Sequence, residues 1–160
     1  MTLSATAAHT STTCSPGSSH HARLSKTPTV PANRSPFEYA ILRVIPREDR
    51  GEAFNAGIVL QSRARRYLGA KVELDANVLR VLAPGCDPLI VRDQLETIPR
   101  ICAGDPGSGP IAALSRPERF HWLVSPSSTV VQPSAVHTGL TDDPGATLEH
   151  LFVTLVRGRV

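Results

Sequence analysis

The sequence predicts an α+β domain: a mostly antiparallel sheet of about five strands, a meander plus a late hairpin, with two longer helices packed on one face. Three observations carry this. Apolar runs with two-residue alternation and charged or Gly-containing turns fill residues 37–74, two Asp-Pro pairs each open a run with helical spacing, and a Ser-Pro-Ser-Ser turn divides two short apolar runs near the end.

The first strand runs from Phe37 to Ile45. Ala40, Leu42 and Val44 alternate with Tyr39, Ile41 and Ile45, so both faces read as covered and the strand as central. Pro46 removes a ladder donor, and Arg47-Glu48-Asp49-Arg50-Gly51-Glu52 makes a charged connection. Ala53–Gln61 is the second strand, in which Gly57 marks a bulge or a close backbone approach. A basic turn, Arg63 to Arg66, leads into a third strand over Tyr67–Leu74.

Asp75 caps a short helix carrying Val78, Leu79 and Leu82, which Pro84-Gly85 ends. Asp87-Pro88 starts a longer helix, with Val91, Leu95, Ile98 and Cys102 on one stripe and a kink or early end expected at Pro99. Gly104–Pro110 is a loop that lacks the Lys-Ser/Thr of a P-loop. After a short segment over Ile111–Ser115, Arg119–Val124 and Thr129–Gln132 read as the two arms of the late hairpin, which Pro133 closes. Asp143-Pro144 opens the last helix, whose stripe is Leu148, Leu151, Phe152, Leu155 and Val156.

Residues 1–35 are set apart by composition. Fourteen of them are Ser or Thr, they hold Arg23, Lys26 and Arg34 with no acid, and they carry almost no large apolar side chain. Such a segment cannot bury enough surface to offset chain entropy and is expected to be disordered. An organellar transit peptide, or a start misassigned from the position of Val30, are the other readings kept for it. Residues 36–160 form the single α+β domain, with 14 basic and 14 acidic residues. The net charge of +3 therefore belongs to the tail, and a formally neutral domain argues against general nucleic-acid binding.

No run approaches the length of a membrane span. Cys14, Cys86 and Cys102 are odd in number, far apart and without a C-x-x-C pair, which is the usage of reduced thiols in a cytoplasmic protein and offers no structural metal site. No cofactor motif is present. His20 and His21 lie in the tail and carry no metal expectation.

Chemistry-bearing residues gather in two places. Arg43 stands inside an otherwise apolar strand, where an unpaired guanidinium is costly, so it needs an acid, and Glu52 is the partner expected from the hairpin. With Arg50, Asn55, Gln132, His137 and Thr138, these are the ligand-binding candidates, and two arginines gripping a carboxylate or phosphate are the functional reading. Later, His121, Ser128, Thr129, Asp142 and Asp143 supply acid, base and hydroxyl types without a nucleophile elbow or a zinc-protease motif, and Asp143 already serves as a cap. His121 reads as a half-buried strand residue, His137 as a loop residue, and Cys86 and Cys102 as core thiols. No recognised catalytic motif emerges, and the reading leans away from an enzyme.

The string Tyr39-Ala40-Ile41-Leu42-Arg43-Val44-Ile45-Pro46, with Asn55-Ala56-Gly57-Ile58-Val59-Leu60, Phe120-His121-Trp122-Leu123 and Val136-His137-Thr138-Gly139-Leu140, resembles the bacterial domain-of-unknown-function family 3037 over about residues 36–156. The resemblance implies a small cytosolic bacterial protein that works as an accessory or antitoxin-like partner, with a HipA-like kinase as the implied partner. The alternative is a small-molecule enzyme or sensor in which Arg43, Arg50 and His137 converge on an anionic ligand.

Overall fold

The computed structural model describes residues 33–158. The expectations made for the tail, including Cys14, the His20–His21 pair and the start at Val30, lie outside the described residues except at 33–35.

Three strands make the meander: β1 (Ser35–Arg47), β2 (Glu52–Ser62) and β3 (Tyr67–Val72), antiparallel and in the order β3-β2-β1. Gly51, with φ of 67°, turns the chain between the first two. The register passes from Leu42 opposite Gly57 to Arg43 opposite Asn55, leaving Ala56 as the extra residue of a bulge. Gly57 also meets the expected close approach, because an added Cβ would lie 2.7 Å from the Lys71 carbonyl oxygen and 2.8 Å from Val72 Cγ1.

The other edge of β1 is shared by two short strands. β4 (Val131–Pro133) pairs with Leu42–Val44, and β5 (His137–Thr141) pairs with Ser35–Tyr39, so both lie along the same edge. The result is a five-stranded antiparallel sheet with β1 at its centre.

Among the described residues four α-helices flank it: α1 (Ala76–Leu82), α2 (Pro88–Ala103), α3 (Arg116–Leu123) and α4 (Pro144–Leu155). Asp75, Asp87 and Asp143 accept hydrogen bonds from the first-turn amides of α1, α2 and α4, as their positions predict. Of the kink or early end expected at Pro99, the early end does not occur: the helix runs on to Ala103 and ends at Gly104, which adopts the left-handed conformation with φ of 76°.

Two expectations are corrected. The helices do not share one face. Leu79 of α1, Val91, Leu95, Ile101 and Cys102 of α2, and Phe120 and Leu123 of α3 pack with Ala40, Leu42 and Val44, whereas Leu148 and Phe152 of α4 pack with Phe37, Ile58 and Leu60 on the opposite side. The physical reason is the two-sided apolar alternation of β1, which leaves a second face that only another helix can cover. The first arm of the late hairpin is also absent, since Arg119–Leu123 belongs to α3. Ser115 and Glu118 form a reciprocal capping box with Pro117 in the first turn, and this local start outweighs the β propensity of Phe120 and Trp122.

Candidate functional site

Alternation along β1 puts Tyr39, Ile41 and Arg43 on the face that α4 covers. That helix lies over β2 and β3, so these three β1 residues stay half-buried instead of sealed. Arg43 faces Asn55 of β2 on one side and Gln132 of β4 on the other. Asn55 donates to the Leu155 carbonyl at 2.9 Å, tying the end of α4 to the bulge, and Gln132 donates to Glu48 at 2.9 Å. The Arg43 Nε is buried and has no hydrogen-bond partner among the described residues.

The expected Arg43–Glu52 ion pair does not form. Glu52 accepts from Arg50 at 2.6 Å, and it stands opposite Arg47, four residues along β1 from Arg43. At the strand rise this is roughly 13 Å, out of reach of a direct contact. Arg50 is thereby engaged, and Arg43 makes no side-chain hydrogen bond or ion pair among the described residues.

His137 is a strand residue of β5, not a loop residue. It stands opposite Tyr39, and the two rings are 5.1 Å apart, continuing a row in which Tyr39 stacks on Phe37 at 6.0 Å. Thr138 is exposed opposite Glu38. Tyr39 and Arg47 are separated by eight residues of strand, about 26 Å, so His137 and the Arg50–Glu52 pair occupy opposite ends of β1. The fold therefore brings Arg43, Asn55 and Gln132 together and leaves Arg50, Glu52, His137 and Thr138 apart from them. Three neighbouring donor-bearing side chains suit hydrogen bonding to an acceptor group, with the Glu48 carboxylate held beside them by Gln132.

A different site was hidden by the hairpin reading. On the opposite face, a cleft of about 430 Å³ opens between α2, α3 and β4. Ile98, Ile101, Trp122, Leu123 and Val131 wall it, Leu42 is at its base, and Gln94, Thr97 and Ser127 bring polar groups to its lining. Trp122, the only tryptophan, remains 51% exposed there. Ile90, 58% exposed, lies on the same helical stripe as Gln94, Thr97 and Ile101 and extends the α2 wall by one turn. The capping box at Ser115 was the sequence signal that places Trp122 on a helix instead of a strand.

His121 follows Trp122's helix as well. It is exposed, with its Nε2 3.1 Å from an Arg63 nitrogen, and not half-buried in a strand. Cys102 is buried in the core as expected, and burial pushes its thiol up to about 12, only partly opposed by Arg119, so it stays protonated. Among the described residues, no helix is long and apolar enough to cross a membrane.

No curated protein and no solved structure matches the chain. A family model does, the one described as a protein of unknown function, DUF3037, over residues 39–156. That span runs from the aromatic row of β1 to the residue after α4, and includes both the Arg43 cluster and the Trp122 cleft. The chain belongs to the DUF3037 family.

Proposed function

We propose that the protein is a cytoplasmic accessory module whose work is to bind another protein, and that the cleft between α2, α3 and β4 receives an apolar segment of that partner. The observation that carries this reading is the half-exposed Trp122 over an apolar cleft. A half-exposed tryptophan beside an apolar hollow is the kind of anchor around which protein interfaces concentrate their binding energy. Polar groups at Gln94, Thr97 and Ser127 give the backbone of an entering segment hydrogen-bond partners. A HipA-like kinase is the partner the family resemblance implies, and it is the first to test.

The experiment is purification of the native protein from its host, beside a Trp122→Ala variant. The expected result is co-elution with one partner that the variant loses while its melting temperature stays close to that of the parent. Elution of the parent as a clean monomer overturns the reading, and so does a partner retained by the variant.

A second reading, a small-molecule sensor or enzyme for an anionic ligand, has one observation in its favour: the unpartnered Nε of Arg43. In this reading Asn55 and Gln132 are the immediate neighbours of the bound group, and Arg50 and His137 act at a distance or not at all. Loss of ligand binding in Arg43→Met with no change in Arg50→Ala or His137→Ala is the pattern it requires.

A further inference from the structure

The formally neutral domain distributes its charge unevenly. The loop between Ser62 and Tyr67 carries Arg63, Arg65 and Arg66, and the first turn of α3 carries Arg116 and Arg119. The fold apposes these two segments around a cleft of about 460 Å³ lined by Arg63, Arg66, Arg116 and Arg119 together with Gln61 and Tyr67, and no carboxylate is among its lining residues.

Each arginine has a structural explanation to be weighed first. Arg119 donates from Nη1 to the Ile101 carbonyl at 3.0 Å, which closes the end of α2. That uses one nitrogen. The residue is 7% exposed, and its Nε is buried with no partner among the described residues. Arg63 reaches His121, and the nearest Glu38 oxygen lies at 3.9 Å. Arg66 and Arg116 are exposed and make no side-chain hydrogen bond or ion pair among the described residues. Arg66 also occupies a left-handed position, φ 53°, where the turn would favour Gly or Asn. Glu118, the acid nearest in sequence, is engaged by the Ser115 hydroxyl and amide at 2.7 and 2.9 Å.

The second unpartnered group defines the ligand further. Gln61 is 1% exposed and donates to Glu38 at 3.3 Å, which leaves its Oε1 buried without a donor among the described residues. Two residues that line one cleft thus hold, among the described residues, a buried donor and a buried acceptor without partners, and three further guanidinium groups stand beside them. A bare anion answers only the guanidiniums. A phosphate ester whose organic part carries a hydroxyl answers both, with phosphate oxygens accepting from the arginines and the hydroxyl donating to Gln61.

We propose that this cleft binds a hydroxyl-bearing phosphate monoester, a sugar phosphate or nucleotide. It is separate from the Trp122 cleft, since α3 contributes its first turn here and its last turn there. A small molecule is favoured over a nucleic-acid strand because the arginines converge on one hollow in a domain with no further excess of positive charge.

The test is calorimetric titration of the full chain with ribose 5-phosphate, inorganic phosphate, ribose and a short single-stranded RNA. Ribose 5-phosphate is expected to bind more tightly than inorganic phosphate, and ribose not at all. Arg66→Ala and Arg116→Ala, both at exposed positions, are each expected to weaken ribose 5-phosphate about tenfold, the usual cost of one charge-assisted hydrogen bond. Arg92→Ala, on an exposed position of α2 outside the cleft lining, is the control and should change nothing. Absence of binding in the millimolar range, binding indifferent to Arg66 and Arg116, or RNA binding that outcompetes the ester would each overturn the proposal.

Discussion

Ser134 is bonded twice to Ile41: its amide donates to the Ile41 carbonyl at 2.8 Å, and its Oγ accepts from the Ile41 amide at 2.9 Å. These bonds fill the gap between β4 and β5 on the shared edge of β1. A side-chain oxygen thus does the work of a missing ladder carbonyl. Ser134→Ala removes it and leaves a half-buried N–H without its acceptor, at a cost of about 1–3 kcal/mol. Urea unfolding should show the loss, with faster hydrogen exchange at Ile41. An unchanged midpoint would mean that water replaces the hydroxyl.

The legible parts of this fold were those fixed by local chemistry. Asp75, Asp87 and Asp143 each act through their own side chain on the next few amides, so their caps were readable. Gly57 was readable for the same reason, since only a residue without Cβ admits the Lys71 carbonyl. The β5 strand was not, because His137–Thr141 has no apolar alternation and pairs only because β1 offers an open edge. Arg43 could be recognised as a misfit from its neighbours, but its lack of a partner depends on register, which sets Glu52 opposite Arg47. The two clefts bring together α2, α3, β4 and the β2–β3 loop from distant parts of the chain. No local pattern encodes such a meeting.

Gly104 is doubly constrained. Its φ of 76° is a left-handed conformation, and a Cβ there would overlap Arg119 Nη1, the atom that holds the Ile101 carbonyl. Gly51, at φ 67°, has open space around its missing Cβ and isolates the backbone component. Gly51→Ala should cost about 1–2 kcal/mol. Gly104→Ala should cost more, by about a further 1–3 kcal/mol as the buried guanidinium is displaced. Equal costs in chemical denaturation would show that Arg119 moves aside freely.

Three carboxylates set a pH dependence, the first being Asp49, which its hydrogen bond from Arg47 holds below the usual carboxylate range. The Gly107 amide, with the Arg100 guanidinium beside it, holds Asp105 below the usual carboxylate range, and the Ser115 hydroxyl and then its amide do the same for Glu118. A carboxyl depressed in the folded state contributes its full stability above its unfolded value and loses it as pH falls through the lower, folded one. The melting temperature should therefore decline below about pH 4. Asp105→Asn with Glu118→Gln keeps an acceptor at both places and removes their titration, so its curve should decline less steeply. Parallel curves would assign the acid sensitivity elsewhere.

Cys102 should be chemically silent while the chain is folded. Its thiol is held up to about 12 by burial and is 4% exposed. Iodoacetamide at about pH 8 needs thiolate and access, and this site offers neither. Peptide mapping should find Cys102 unlabelled in the native protein and labelled after denaturation. Native labelling at a rate near that of a free thiol would require this part of α2 to open.

The sign of one substitution at Arg43 separates a structural residue from a functional one. An ion-paired arginine in a strand loses its partner's compensation when replaced, and stability falls. Among the described residues Arg43 has no such partner: Glu52 belongs to Arg50, Asn55 to Leu155 and Gln132 to Glu48. Its Nε is buried and unfilled, so the folded chain carries the desolvation cost with no returning bond. Arg43→Met keeps a stem of similar length at this half-buried position and removes the orphaned donor. The variant should be as stable as the parent or more stable by about 1 kcal/mol. A residue that lowers stability where it stands is maintained for something else, in keeping with the cost that binding sites impose on their folds. A destabilised Arg43→Met would instead place this guanidinium among the bonds that hold the sheet together.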